Sequence, residues 1–283
     1  ITANDNGKVY GTTDPTLTAQ VSGVPTNGDA ISASDYTVTR AAGENIGNYD
    51  ETVVYTGGNA NYKVSVEPGQ FTITPALVDS NQVFLTDGSK VYDGKTIEYT
   101  PTLSVTLPDG TSLSSVVLTP DDYTVVPNGS NTNDEATNAG TYSIELNTNG
   151  ITKLENVNSN YDFTGITPSD VTAVYNIEAI IVVQYLKAGS TDVLAEGYQE
   201  NGNIGISYTT SEKIISGYTI VPMPANASGN YTKNVDTVTY YYTVNYTVTP
   251  VDPNGNPIPG ASTGTGTGNP GNPIDPGSTP SVP

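Results

Sequence analysis

The sequence predicts a mainly β chain: an elongated tandem array of small β domains, the third of them β-grasp (ubiquitin-like) with one short helix. Three observations carry this reading. Between Val238 and Val248 the even positions are Val238, Tyr240, Tyr242, Val244, Tyr246 and Val248, while the odd ones are Thr239, Tyr241, Thr243, Asn245 and Thr247. A period of two marks a strand with one packed and one wetter face. Turn clusters such as Thr56-Gly57-Gly58-Asn59 and Leu107-Pro108-Asp109-Gly110 punctuate similar runs, in a chain with 29 Gly and 20 Pro. A set of short signatures also occurs twice, in the same order.

Those signatures define the first two modules. Lys8-Val9-Tyr10 pairs with Lys90-Val91-Tyr92, and Asp35-Tyr36-Thr37-Val38 with Asp122-Tyr123-Thr124-Val125. Asn45-Ile46-Gly47-Asn48-Tyr49 pairs with Asn138-Ala139-Gly140-Thr141-Tyr142, Asn59-Ala60-Asn61-Tyr62 with Asn158-Ser159-Asn160-Tyr161, and Ile73 with Ile177. Five signatures in one order predict a shared domain plan over residues 1–76 and 77–179. The second copy is longer, and its insertions are expected to be loops.

The residues of both copies also carry a family resemblance. VYGTTDPTLTAQVSG, RAAGENIGNYD, NANYKVSV and FTITPA resemble the MBG domain of bacterial surface proteins in its YGX variety. KVYDGKTIEY, NAGTY, NSNYDF and VYNIEA are similar to the YDG variety. The resemblance implies spacer modules in a long exported protein.

Residues 180–249 depart from the repeat. Ile180–Leu186 reads as a strand with Asp192–Gln199 as its hairpin partner. Thr209-Thr210-Ser211-Glu212 has capping-box spacing ahead of Lys213-Ile214-Ile215, so a short helix ending at Gly217 is expected. YTTSEKIISGYTIVPMPANASGNYT followed by VTYYYT resembles the MucBP, or mucin-binding protein, domain. That resemblance implies binding of mucin or other host glycoproteins by an adhesin of a Gram-positive cell wall. From Pro250 to Pro283, Pro, Gly, Thr and Ser dominate, so the segment is read as a linker without a core.

Composition excludes several kinds of chemistry. The chain has no His, Cys or Trp, which removes Ser-His-Asp and Cys-His nucleophile systems and thiolate or imidazole metal sites. Its formal charge of −20 opposes nucleic acid and anionic headgroups as partners. No apolar run approaches membrane-spanning length. The chain opens on Ile1 and is read as a piece of a longer, extracellular, cell-wall-anchored protein. A non-catalytic, monomeric segment that needs no cofactor is expected.

Candidate site residues emerge from these readings. Tyr208, Tyr218, Tyr231 and Tyr241 of the third module are expected to be exposed, with rings that stack on sugars. Asp121-Asp122 and Asp134-Glu135 offer oxygen ligands for Ca²⁺, although neither forms the Asp-x-Asp-x-Asp-Gly loop. Lys8 and Lys90 stand alike in two repeats and are candidates for an isopeptide cross-link to asparagine or aspartate. The plainer reading makes them strand residues with their ammonium in water. Two rival functions stay open: a stalk alone, or host-protein (for example immunoglobulin) binding through a β-grasp edge.

Overall fold

The structure, a computed structural model, describes residues 1–107, 110, 112–113, 116–127, 136–156, 159–269 and 272–273. These fall into two compact units: Ile1–Asp87 with Glu98–Val125 and Ile144–Ala173, and Gly88–Ile97 with Val126–Ser143 and Val174–Pro283.

In the first unit, the leading module is a four-stranded sheet. Strands Asn6–Val9, Gly69–Thr74, Gly47–Tyr55 and Tyr36–Arg40 stand side by side in that order. The first pair is parallel and the others antiparallel. Alternation in Gly69–Thr74 buries Phe71 and Ile73. A 3-10 turn at Ala33–Asp35 feeds Tyr36–Arg40, with the Asp35 carboxylate accepting from the Ser32 N–H at 2.7 Å and from its hydroxyl at 3.0 Å. The second module repeats the device. Asp122 closes the turn Pro120–Asp122 on the N–H and hydroxyl of Thr119, ahead of Tyr123.

The same unit holds the one α-helix among the described residues, Thr148–Glu155. The Asn147 side chain caps it, accepting from the N–H groups of Asn149 and Gly150. Leu154 is the helix's fully buried apolar anchor.

Lys8 and Lys90 are not solvated. The Lys8 side chain is 5% exposed and pairs with Asp14 at 2.7 Å and with Glu44. Hydrogen bonds from Asp14 and then Glu44 raise its pKa. Arg40 binds the same carboxylates, and its guanidinium lies 4.8 Å from the Phe71 ring centre. Its hydrogen bonds, with those of Lys8, hold the Asp14 carboxyl down at about 2. Lys90 instead caps its own turn, donating to Asp93 at 2.8 Å and to the carbonyls of Lys95 and Thr96. The reading of an ammonium in water is therefore corrected. A tight acidic turn supplies carboxylates and carbonyls close enough to outcompete water. The bonded partners given to both lysines are carboxylates and carbonyls rather than asparagine side chains. Asp14 and Asp93 are aspartates of the kind such a cross-link would use, but in these contacts they hold Lys8 and Lys90 as ion pairs, and an ammonium has no lone pair to attack with until it loses a proton.

In the second unit, the strand Thr172–Lys187 is the axis from Val174 onward. Gly88–Val91 runs parallel to its lower part, with Lys90 opposite Ile177. The first module has the equivalent register, Lys8 opposite Ile73. Along the upper part, Val193–Gly202 pairs antiparallel and Val235–Val248 parallel. Tyr218–Ile220 and Gly264–Gly268 then add antiparallel to Val235–Val248. Ala179, Ile181, Val183, Tyr185, Val238, Tyr240 and Tyr242 form the core of the third module, together with Tyr208 and Tyr231. On Val235–Val248 this takes Val238, Tyr240 and Tyr242 of the even positions expected from the alternation, while Val244, Tyr246 and Val248 are half-buried.

Two expectations fail in this unit. Residues 211–215 form no helix. Two strand tyrosines take the backbone that a helix would use. Tyr185 OH donates to the Ser211 carbonyl at 2.7 Å, and Tyr242 OH donates to that of Lys213 at 2.8 Å while accepting its N–H at 3.0 Å. Tyr240 and Thr210 bond through their buried hydroxyls at 2.7 Å. Ile214 is left fully exposed, so the segment has no apolar stripe to bury. The β-grasp expectation thereby loses its helix.

The second failure concerns the linker. Gly264–Gly268 pairs with Val244–Val248, so part of it is strand. Gly266 lies opposite Tyr246, and a β-carbon there would sit 2.4 Å from the tyrosine hydroxyl. The ring covers the glycine backbone, which supplies packing that the Gly-Thr sequence lacks.

Candidate functional site

Of the four tyrosines expected to meet a ligand, two are core residues. Tyr208 and Tyr231 are 8% and 5% exposed, with ring centres 5.3 Å apart. Burial, the leading cause, pushes both phenols up. The expectation of exposure fails because the strands Ser207–Thr209 and Ser228–Asn230 pair with each other and turn both rings inward. Tyr218 is half-buried against the same core. Tyr241 alone of the four presents its ring, at 44% exposure.

Tyr241 owes this to register. It stands opposite Leu186 in the parallel ladder and between two core tyrosines, so the pleat turns it to the outer face. The Val221 N–H donates to its carbonyl at 2.8 Å, which fixes the neighbouring chain. Above it, the turn Ala188–Thr191 connects Thr172–Lys187 to Val193–Gly202. Gly189, with φ +76°, makes the reversal that another residue would resist. The Asp192 N–H donates to the Ser190 hydroxyl at 3.1 Å.

Ala188, Gly189, Ser190, Thr191, Val221 and Tyr241 line an open groove of about 750 Å³. An aromatic plane, two small hydroxyl side chains and bare backbone can take one face of a sugar ring and hydrogen-bond its edge. Sequence reasoning found Tyr241 but not Ser190, Thr191 or Val221. The Ala-Gly-Ser-Thr turn between two strand signals was the available cue.

The expected calcium ligands are placed differently. Asp122 is buried and pairs with Lys153 at 2.5 Å, in addition to capping its turn. Burial opposes its ionisation, but the Lys153 and Thr119 hydrogen bonds together hold its pKa below the ordinary value. A carboxylate already neutralised by lysine is not a free ligand. The Asp121 carbonyl accepts from Asn147 and Asn149. Asp134 and Glu135 lie outside the described residues. No group of three or more acidic side chains that could hold a metal occurs among the described residues.

Tandem small β modules, the third with an open groove lined in part by Tyr241, fit the class that the family matches and relatives support: a surface adhesin-like protein built from repeated domains. The particular modules are identified by family comparison. The MBG domain (YGX type) matches residues 1–72, the MBG domain residues 79–179, and the MucBP domain residues 180–243. The chain therefore carries two MBG domains followed by a MucBP domain.

Among curated proteins, it is 44% identical over 79 residues to Internalin J of Listeria monocytogenes serovar 1/2a, covering 26% of this chain and 9% of that protein. It is 30% identical over 210 residues to Internalin J of serotype 4b, covering 71% of this chain and 20% of that protein. The chain thus spans a fifth or less of the length of these relatives. Among solved structures, the Bacillus anthracis TIE protein aligns at 9% identity, with 78% of this chain and 51% of that chain covered. Its TM-score of 0.21 carries no argument about the fold. No helix among the described residues is long and apolar enough to cross a membrane.

Proposed function

We propose that this chain is a non-catalytic segment of a wall-anchored adhesin whose MucBP module binds mucin or other host glycoproteins, with the MBG modules as spacers. The supporting observation is Tyr241, an exposed residue that lines an open groove together with Ser190 and Thr191 in the module that matches MucBP. Charge attraction does not supply affinity in a chain of net −20, since mucin glycans are themselves often anionic. Stacking and hydrogen bonds supply it, in weak single contacts multiplied by repetition on a cell surface.

Binding of the full chain to immobilised mucin tests this reading. Tyr241→Ala is expected to weaken binding roughly 3- to 10-fold, the loss of one stacked aromatic. Undiminished binding by this variant removes the groove from the proposal. Binding that survives deglycosylation of the mucin replaces glycan recognition by protein recognition.

A further inference from the structure

One asparagine arrangement occurs at both module junctions, and no family match assigns it. In the first unit, Asn160 of the second module reaches the Asn45–Tyr49 loop of the first. Its Oδ1 accepts from the Ile46 N–H at 2.9 Å, and its Nδ2 donates to Asn45 Oδ1 at 3.1 Å. Its carbonyl accepts from the Ala76 N–H, on the strand Ala76–Leu77 that leads from the first module into its own, at 3.0 Å.

In the second unit, Asn234 of the third module does the same to the loop Asn138–Tyr142. Its Oδ1 accepts from the Ala139 N–H at 2.7 Å, and its Nδ2 donates to Asn138 Oδ1 at 2.7 Å. Its carbonyl accepts from the Ile180 N–H at 3.0 Å. In both cases the next residue starts a parallel pairing, Tyr161 with Ala76 and Val235 with Ile180.

The receiving loops are alike as well. Each is Asn-x-Gly-x-Tyr, and the tyrosine hydroxyl donates to the carbonyl of its own loop asparagine, Tyr49 to Asn45 at 2.7 Å and Tyr142 to Asn138 at 2.8 Å. The same four hydrogen bonds thus occur at two junctions that join different pairs of modules. The second junction joins an MBG module to a MucBP module, so the arrangement does not depend on the family of the incoming module.

We infer that Asn-x-Gly-x-Tyr is a docking loop and that Asn160 and Asn234 are the inserted keys of a connector independent of module family, which holds neighbours in one fixed arrangement. The loop presents an amide N–H and a carboxamide oxygen, and the key must offer an acceptor and a donor. A carboxamide of this length meets both demands with two separate atoms, which a carboxylate or an ammonium cannot do. The partner chemistry is therefore specific: any module with an asparagine just before a strand parallel to its opening strand fits such a loop.

The chemistry predicts an asymmetry between the two asparagines of each pair. Asn138→Asp keeps the acceptor that Asn234 Nδ2 needs. Asn234→Asp loses the donor and sets oxygen against oxygen. Amide hydrogen exchange of the full chain reads this at Ala139. Exchange is expected to speed up roughly 5- to 10-fold in Asn234→Asp, because repulsion from Asn138 Oδ1 drives the carboxylate, and with it the acceptor of the Ala139 N–H, out of the loop, and to change less than about 2-fold in Asn138→Asp. Asn234 is only half-buried, so folding of these variants is checked through unchanged exchange at Val183 in the core.

The Asn45 and Asn160 pair provides the second reading at Ile46, with the same asymmetry expected. In calorimetry, Asn234→Asp is expected to split the melting of the third module from that of the second. Equal effects of the two aspartates, or unaltered exchange at Ala139 and Ile46, overturns the inference. Independent melting of the modules in the unmodified chain overturns the coupling.

Discussion

The two MBG modules share a strand plan but fill one core position with opposite chemistry. In the first, Glu51 is fully buried in the middle of its sheet. Its Oε2 accepts from Asn6 Nδ2 at 3.2 Å, while Oε1 has no partner. Counting from the paired tyrosines Tyr49 and Tyr142, the second module has Ile144 at this position, also fully buried. Counting from the paired lysines, Asn6 becomes Gly88. A polar pair in one copy is thus an apolar residue and a glycine in the other. The plan specifies which positions face inward and leaves open what fills them, provided that polar groups arrive in pairs.

The sharpest way to break this comparison is to give the second module half of the pair. Ile144→Glu buries a carboxylate without its asparagine and is expected to cost roughly 3–5 kcal/mol in urea unfolding. A loss below about 1 kcal/mol would mean that the site relaxes to admit water.

A smaller effect is expected for Glu51→Gln, which keeps the acceptor for Asn6 and removes the charge. Burial raises the Glu51 pKa above its ordinary 4.5. Its stabilising contribution is therefore complete below that value and lost as pH rises through the raised one. The glutamine variant is expected to gain about 1–2 kcal/mol near pH 8 and nothing near pH 4. The lowered carboxylates do not obscure this window. Asp14, for example, stabilises above its ordinary 3.8 and fails only as pH falls towards about 2. Parallel thermal melts of both proteins that keep the same pH slope would sink the assignment.

The smallest effect sharpens the comparison instead of breaking it. In the first module Thr72 donates to Asn48 Oδ1 at 3.0 Å. In the second, Thr141 donates to Asn176 at 2.8 Å, the same cross-strand pair with its residues exchanged. Asn48→Thr or Thr72→Asn alone should cost about 0.5–1 kcal/mol, and both together should fall within about 0.5 kcal/mol of the parent. A double variant as weak as the sum of the singles would show that the exchange is coincidental.

Much of the plan was legible because a period of two and ordered repeats survive in the sequence. Lys8 opposite Ile73 and Lys90 opposite Ile177 turn a textual repeat into a shared register. What escaped depended on partners distant in the chain. The capping-box spacing at Thr209–Glu212 was real, but Tyr185 and Tyr242 claimed the backbone next to it. The Gly264–Gly268 strand lacks apolar residues and relies on Tyr246 for cover. The helix Thr148–Glu155 was missed although Asn147 caps it and Ile151 and Leu154 are spaced three apart. For the groove, alternation marked Tyr241 as outward-facing. It gave no means of telling Tyr208 and Tyr231, which lie in short runs without alternation, from ligand-facing rings.

The parallel ladders have a mechanical consequence. In the first module Asn6–Val9 leads in and Gly69–Thr74 leads out, side by side and pointing the same way. In the third, Ile180–Lys187 and Val235–Tyr242 repeat that relation. Tension drawn between the ends of such a module pulls adjacent strands in opposite senses along their length. The rungs between them bear the load together, in shear. The antiparallel Gly264–Gly268 strand, pulled from its Gly268 end, gives its rungs up one at a time, so it yields as a zipper before the ladders beside it are strained.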